Sequence, residues 1–185
     1  MCKKILKITL LTLLAYMMQA TVAWHIPISE VAPNLALAFI SPVTVALGRK
    51  YTFLMSLTIG YLLEIMLPAL DYWNLLLYPV AAMLGALLFS DKSERRLEQE
   101  RTSGKHTKQL NAHLRTIFCA LLSTTIFEGV HLVYIYLDGV AIDSSHVARV
   151  VICIVYTTVL AAILQLPIRW LFGLYKAKPE KERTR

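Results

Sequence analysis

Two carboxylates, Glu64 and Glu128, stand in stretches of the sequence that are otherwise almost free of charge. His131 follows Glu128 after three residues, and a Glu-x-x-His pair on one helix is the unit that holds iron in di-iron helical bundles. Such a site needs a second pair and further carboxylates from facing helices, and Glu64 is the only other carboxylate deep in an apolar stretch. The sequence therefore predicts no metal site.

A second polar cluster, residues 138–146, gathers two aspartates, two serines and a histidine. A hydrolytic triad needs a nucleophile, a base and an orienting group brought together around an oxyanion site. A nine-residue connection ahead of a helix is explained more simply as a turn in which Asp143 or Ser144 is the N-cap residue. The sequence also lacks a Gly-rich phosphate loop and a nucleophile elbow, so we predict no catalytic residues, no enzymatic activity and no cofactor.

The composition explains why these polar side chains are unusual. Of the 185 residues, 57% are hydrophobic and 17% are charged, whereas ordinary globular domains are about 45–50% apolar and about 25% charged. The charges collect in residues 1–7, 48–50, 91–115 and 176–185, and the stretches between these segments are nearly free of charge. This distribution is typical of an integral membrane protein.

Six apolar stretches have the length of membrane-spanning helices, because crossing about 30 Å of hydrocarbon takes about 17–25 helical residues. They show no alternation of apolar and polar residues, which argues against a transmembrane β-barrel. We therefore predict an all-α integral membrane protein, a single domain over residues 1–185 that forms a bundle of six transmembrane helices. The predicted spans are residues 5–24, 31–47, 51–70, 72–90, 116–137 and 147–174, and residues 91–115 form a cytoplasmic loop. Charge spacing in the first half of that loop predicts that the fourth helix continues to Gly104.

The basic residues predict the orientation of this bundle. Cytoplasmic segments of membrane proteins carry an excess of Lys and Arg. With both termini in the cytoplasm, 18 of the 19 Lys and Arg residues fall on that side, and Arg149 alone falls outside. The net charge of +7 is then explained by topology and by contact with anionic lipid headgroups. We predict membrane lipids as partners and no nucleic acid.

Residues 1–23 also have the basic start and small residues of a cleavable signal peptide. Their apolar run is longer than the 7–15 residues usual for a signal core. Cleavage would leave five spans and would move the basic loop to the outside. We therefore predict that the first span is retained.

The three cysteines, Cys2, Cys119 and Cys153, fall at different depths of the predicted bundle. A disulfide needs Cα atoms within about 7 Å of each other. We predict that all three are free thiols.

The intramembrane polar residues need partners inside the bundle. A charged side chain at mid-membrane costs at least about 2.5–3.5 kcal/mol on insertion scales, so neither Glu64 nor Glu128 is expected to face lipid. His131 lies one helical turn from Glu128, and Gln165 is predicted at a similar depth in the sixth span. Two interpretations stay open: a polar pair that holds helices together, or an interface with another membrane protein or a substrate.

Residues 33–89 resemble the rod shape-determining protein family MreD. That family begins its core with Pro-x-Leu at the start of a helix, here Pro33, Asn34 and Leu35. A span ending in Gly-x-x-x-Asp/Glu follows, here residues 60–64, and then a span rich in small residues, here residues 74–89. The chain departs from the family in its Glu at position 64, in the absence of Gly from the following turn, and in its long inner loop. The candidate partner-interface or intramembrane polar residues are Pro33, Asn34, Gly60, Glu64, Asn74, Glu128, His131 and Gln165.

The resemblance implies a non-enzymatic subunit of the bacterial cell-elongation machinery in the cytoplasmic membrane. It implies that the chain binds an MreC-like bitopic membrane protein. Through that partner it would be connected to an MreB-like filament and to the glycosyltransferase–transpeptidase pair that builds lateral peptidoglycan. Small residues spaced by four, Ala81/Gly85 and Ala82/Ala86, permit the close helix approach that an interaction subunit or the bundle itself would use.

The alternative function is that of a substrate-binding S-component of an energy-coupling-factor transporter. S-components are also basic proteins with six spans, and we expect their fold to be related to that of this chain. S-components usually dock their partner through an Ala-x-x-x-Ala motif in the first span. The first span here holds Ala15, Ala20 and Ala23, none of them four residues apart. This absence favours the shape-protein interpretation, and a membrane subunit of another kind stays open as a third.

Overall fold

The computed structural model describes residues 2–66, 72–90 and 110–173, and these residues form helices and no strand. The first helix, Cys2–Met17, continues through a π-helical turn, Met18–Val22, and a 3₁₀ turn, Ala23–His25. The predicted all-α architecture is confirmed for the described residues. The described ranges contain six α-helices: α1 Cys2–Met17, α2 Leu35–Leu47, α3 Arg49–Met66, α4 Trp73–Phe89, α5 Ala112–Leu137 and α6 Ser144–Leu171.

Three helical segments in the described residues are long and apolar enough to cross a membrane: Lys4–His25, α5 and α6. Rows of large apolar side chains stay exposed on them; on α6 they recur every four residues from Val147 to Ile163, each about half exposed. A soluble monomer rarely exposes a contiguous apolar surface of this size. The chain is therefore a helical membrane protein.

The short helix α2 lies at the centre of the bundle. It packs against each of the other five helices, and every residue from Leu35 to Val45 is buried. Its 13 residues extend for only about 20 Å, and the longest helix, α6, for about 42 Å, at 1.5 Å per residue. An uncharged helix that is apolar on all sides is stable in such a position, because neighbouring helices cover its whole surface.

Basic side chains join helix ends at one end of the bundle. Lys7 Nζ donates to the carbonyl of Leu171 at the end of α6, at 2.6 Å. Arg49 Nη2 donates to the carbonyl of Leu87 near the end of α4, at 3.0 Å. The last carbonyls of a helix have no partner within that helix and carry partial negative charge, so these cations stabilise both ends.

Several predicted helix boundaries differ from the observed ones. The fifth helix begins at Ala112 instead of residue 116, and the sixth begins at Ser144 instead of residue 147. Two further differences have local reasons. The second helix begins at Leu35 instead of residue 31, because Pro33 restricts the residue before it and Asn34 takes the N-cap position. The fourth helix ends at Phe89 instead of continuing, because Ser90 has an extended backbone. The predicted ends of the third span (67–70) and of the sixth (174), most of the loop (91–109) and the basic segment 176–185 lie outside the described residues.

The interpretation of residues 138–146 as a turn and helix cap is confirmed. Asp143 is the N-cap residue of α6, and its carboxylate accepts from the backbone N–H of Ser144 at 2.6 Å. His146 Nδ1 accepts in return from the backbone N–H of Asp143 at 3.3 Å, which completes a capping box. This pairing occupies the side chains of Asp143 and His146, two of those that had suggested a catalytic cluster.

Candidate functional site

The N-terminal end of α2 is held by its own N-cap residue and by two other segments of the chain. Asn34 Oδ1 accepts from the backbone N–H of Leu37 at 3.1 Å, and the backbone N–H of Asn34 donates to Thr157 Oγ1 of α6 at 3.0 Å. Gln19 Oε1 accepts from the backbone N–H of Ala36 at 3.1 Å. The first N–H groups of a helix have no partner within that helix, and here side chains from distant parts of the sequence supply the acceptors.

A cavity of about 750 Å³ lies at this end of α2, and we call it the α2 cavity. The residues just before α2, Pro33 and Asn34, form part of the cavity wall, and the longer helices α5 and α6 line it alongside them. Trp24 and Glu30, both exposed, stand at its rim. The other lining side chains that carry polar or aromatic groups are Gln19, Asn74, Tyr78, Phe127, Glu128, His131, His146, Arg149 and Cys153.

Glu128 is half-buried in the wall of this cavity. Cys153 Sγ donates to Glu128 Oε1 at 3.3 Å and also lies 3.6 Å from the carbonyl oxygen of Ala32. A thiol is a weak donor, and among the described residues Cys153 is the only hydrogen-bond partner of Glu128. The carboxylate therefore keeps most of its capacity to accept hydrogen bonds.

His131 belongs to an aromatic cluster and makes no hydrogen bond to Glu128 in the described part of the chain. Its ring centroid lies 4.9 Å from that of Phe127 and 6.1 Å from that of Trp73, edge-on. Phe127 in turn lies 4.7 Å from Tyr78. The predicted Glu128–His131 pair is thus replaced by two separate contacts, a thiol for Glu128 and aromatic rings for His131.

Arg149 lines the same cavity and is exposed. It lies four residues before Cys153 on α6, so the two side chains share one face of the helix, one turn apart. No ion pair joins Arg149 to Glu128 in the described residues. One carboxylate and one guanidinium therefore line one cavity without neutralising each other directly.

A second group of predicted residues meets where α3 packs against the start of α4. Glu64 Oε2 accepts from the backbone N–H of Asn74 at 2.8 Å. Gly60 packs against the backbone of the same residue. A Cβ atom at position 60 would be 2.7 Å from the carbonyl oxygen of Asn74 and 3.2 Å from Leu75 Cα. Gly60, Glu64 and Asn74 thus form one structural unit, which we call the α3–α4 junction.

Gln165 lies away from both groups. It is buried on α6, twelve residues after Cys153, which places it about 18 Å further along the helix. Its amide donates to the carbonyl of Ala162 at 3.0 Å. The expectation that Gln165 reaches the depth of Glu128 is therefore wrong, because Glu128 contacts α6 at Cys153.

Small residues on α4 serve the packing of this bundle. Gly85 lies against Ser123 and Cys119 of α5, close enough that a Cβ atom at position 85 would clash with Ser123 Oγ. Ala81, Ala82 and Ala86 are also buried. Of the two uses that the spacing permits, internal packing is the one that these contacts serve.

Cys119 and Cys153 are free thiols, as predicted. The side chain of Cys2 lies outside the described residues. Among the described residues, no three His, Cys, Asp or Glu side chains converge in a way that could hold a metal ion.

Sequence reasoning missed Cys153, Thr157 and Tyr78. A signal for the first two was available, because Cys153 and Thr157 are four residues apart and therefore share one face of α6. Tyr78 gave no such signal, since its hydroxyl contact with Asn34 Oδ1, at 3.4 Å, joins residues 44 positions apart.

Comparison of the chain with protein-family models, with curated proteins and with solved structures finds no match.

Proposed function

We propose that this chain is an MreD-like, non-enzymatic membrane subunit of the bacterial cell-elongation machinery that binds an MreC-like bitopic protein. The observation that carries the proposal is the α3–α4 junction. The residues on which the family resemblance rests, Gly60 and Glu64, contact the start of the following helix at Asn74. The motif spacing thus corresponds to a built structural unit, which gives a physical reason for a Gly and a carboxylate at those positions.

We propose further that the bundle crosses the bacterial cytoplasmic membrane six times, with both termini in the cytoplasm. Lys7 and Arg49, at the starts of α1 and α3, contact the ends of α6 and α4. Alternating passage across the membrane would bring these helix ends to the same side. Gln19 supports retention of the first span, because cleavage after residue 23 would remove the acceptor that it supplies to α2.

The topology predicts the outcome of reporter fusions. Fusions at Gly104 and at Arg185 are expected to report the cytoplasm, and a fusion at Gly139, which follows α5, is expected to report the exterior. Paired enzymatic reporters that are active on opposite sides of the membrane provide the measurement. An exterior signal at Gly104 would contradict the six-span arrangement and favour cleavage of the first segment.

The partnership predicts a complex and a change of cell shape. The purified chain is expected to co-elute in detergent with a single-span MreC-like protein from the same bacterium, since both would bind within the membrane. Depletion of the chain is expected to turn rod-shaped cells into spheres. Depletion without any change of shape, together with separate elution of the two proteins, would contradict the proposal.

The second candidate function, small-molecule capture by an S-component, is favoured by the α2 cavity. Its volume of about 750 Å³ falls within the range of about 300–1,000 Å³ that is typical of ligand pockets. The genes next to this one discriminate between the candidates, because an adjacent MreC-like gene favours the elongation subunit and an adjacent energising ATPase favours the transporter.

A further inference from the structure

The α2 cavity combines apolar walls with a few charged and polar groups, as binding sites for small molecules do. The rings of Phe127 and Tyr78, 4.7 Å apart between centroids, form part of one wall. Leu63 and Val150 add aliphatic surface. These walls suit an occupant with an apolar body.

The charged groups of the cavity are arranged as an unneutralised pair. Glu128 is half-buried, with only the weak thiol donor of Cys153 in the described structure, and a buried carboxylate without a strong donor is costly. Arg149 stands one helical turn from Cys153 on α6, about 6 Å along the axis. An occupant that neutralises both groups has to carry both a positive and a negative charge.

The remaining titratable groups that line the cavity do not supply this pairing. His146 is engaged with the backbone of Asp143, and His131 packs between aromatic rings. Glu30 is exposed at the rim. A ligand that carried only a positive charge would pair with Glu128 and leave Arg149 without an opposite charge. A ligand that carried only a negative charge would pair with Arg149 and leave Glu128 without one.

We propose that the α2 cavity binds a small zwitterion, an α-amino acid or short peptide with an apolar side chain. Its ammonium group pairs with Glu128, its carboxylate pairs with Arg149, and its side chain packs against Phe127 and Tyr78. This inference does not depend on the proposed elongation function, since it rests on the cavity alone. It would specify the substrate class if the second candidate function holds.

Three probes of nearly equal shape test the charge requirement: L-phenylalanine, phenethylamine, which lacks the carboxylate, and 3-phenylpropanoate, which lacks the ammonium. Binding is measured by calorimetry on the full chain purified in detergent. L-phenylalanine is expected to bind about tenfold more tightly than either analogue, a difference of about 1.4 kcal/mol, because each analogue lacks one charge-assisted hydrogen bond. No binding of L-phenylalanine, or equal binding of all three probes, would overturn the inference.

Two variants assign the charges within the cavity. Glu128→Gln is expected to abolish the preference for L-phenylalanine over 3-phenylpropanoate, and Arg149→Gln is expected to abolish its preference over phenethylamine. Arg149 is exposed, so its variant tests the inference even if Glu128→Gln folds poorly. Asp138→Asn makes the same kind of chemical change at an exposed carboxylate outside the cavity lining and is expected to change neither preference.

Variants that weaken all three probes equally would also overturn the assignment of charges, because a general distortion of the cavity has that effect. Co-elution of Glu128→Gln and of Arg149→Gln with the MreC-like partner separates this inference from the proposed function. Both variants are expected to lose probe discrimination while they retain the partner. Loss of the partner with probe discrimination intact would contradict the inference and would show that these residues serve the partner instead.

Discussion

Gly60→Ala is expected to destabilise the protein by about 1–3 kcal/mol, the usual cost of adding a methyl group to a well-packed interface. The new Cβ atom would lie 2.7 Å from the carbonyl oxygen of Asn74 and 3.2 Å from Leu75 Cα. Both are backbone atoms in the first turn of α4, so no side-chain rotation relieves the clash. Helices α3 and α4 would have to move apart, which would also lengthen the hydrogen bond between Glu64 and Asn74.

Gly129→Ala is the matched control for this prediction. Gly129 also lies inside a helix, α5, but a Cβ atom there would meet nothing within 4 Å. Alanine in an open helix interior is favoured over glycine by roughly 0.5–1 kcal/mol, so this variant is expected to be as stable as the wild type or slightly more stable. Unfolding of both variants in one detergent, followed by tryptophan fluorescence, provides the comparison. Equal losses of stability would show that the α3–α4 junction has no special packing requirement.

Three replacements of Glu64, by Gln, Leu and Lys, are expected to lower the stability of the protein by different amounts, according to what each side chain offers the N–H of Asn74. Tyr72, the N-cap residue of α4, makes no side-chain cap hydrogen bond, so Glu64 supplies from α3 the acceptor for the N–H of Asn74. Glu64→Gln keeps an acceptor oxygen, and we expect a mild effect. Glu64→Leu leaves that N–H without its acceptor, which costs about 1–3 kcal/mol where the group is buried. Glu64→Lys is expected to be the worst, because it places a cation at the positive end of a helix.

The measurement for the Glu64 series is unfolding stability together with co-purification of the MreC-like partner. The expected order of stability is wild type, Gln, Leu and then Lys. If Glu64→Leu proved as stable as Glu64→Gln, the hydrogen bond to Asn74 would not stabilise the fold. Loss of the partner in such a stable variant would then favour the hypothesis that Glu64 serves recognition.

The α3–α4 junction shows how far a local pattern can be interpreted. Gly60 and Glu64 share one helix face because they are four residues apart, and this much follows from helix geometry. The sequence also predicts that a carboxylate within an apolar stretch finds a partner away from lipid. It does not identify Asn74 as that partner, because the bond joins two helices whose relative approach depends on packing.

The α2 cavity could not have been predicted in the same way. Helix α2 is apolar on all sides, so its pattern has no polar face that would indicate its orientation or its central position. The cavity exists because this helix is shorter than the helices around it. Helix α2 is shorter than the predicted span from residue 31 because Asn34, which contacts Leu37 and Thr157, is its N-cap residue.

The sequence by itself determined that this chain is helical and belongs in a membrane, and it placed the N-cap of α6 at Asp143 or Ser144. Those properties depend on local chemistry, since apolar length, charge and capping residues act over a few turns of chain. Only the tertiary structure decided that Glu128 contacts Cys153, 25 residues away, and that Gln165 does not reach it. Such contacts depend on which face each helix turns toward its neighbours, and that choice is made by the packing of all the helices together.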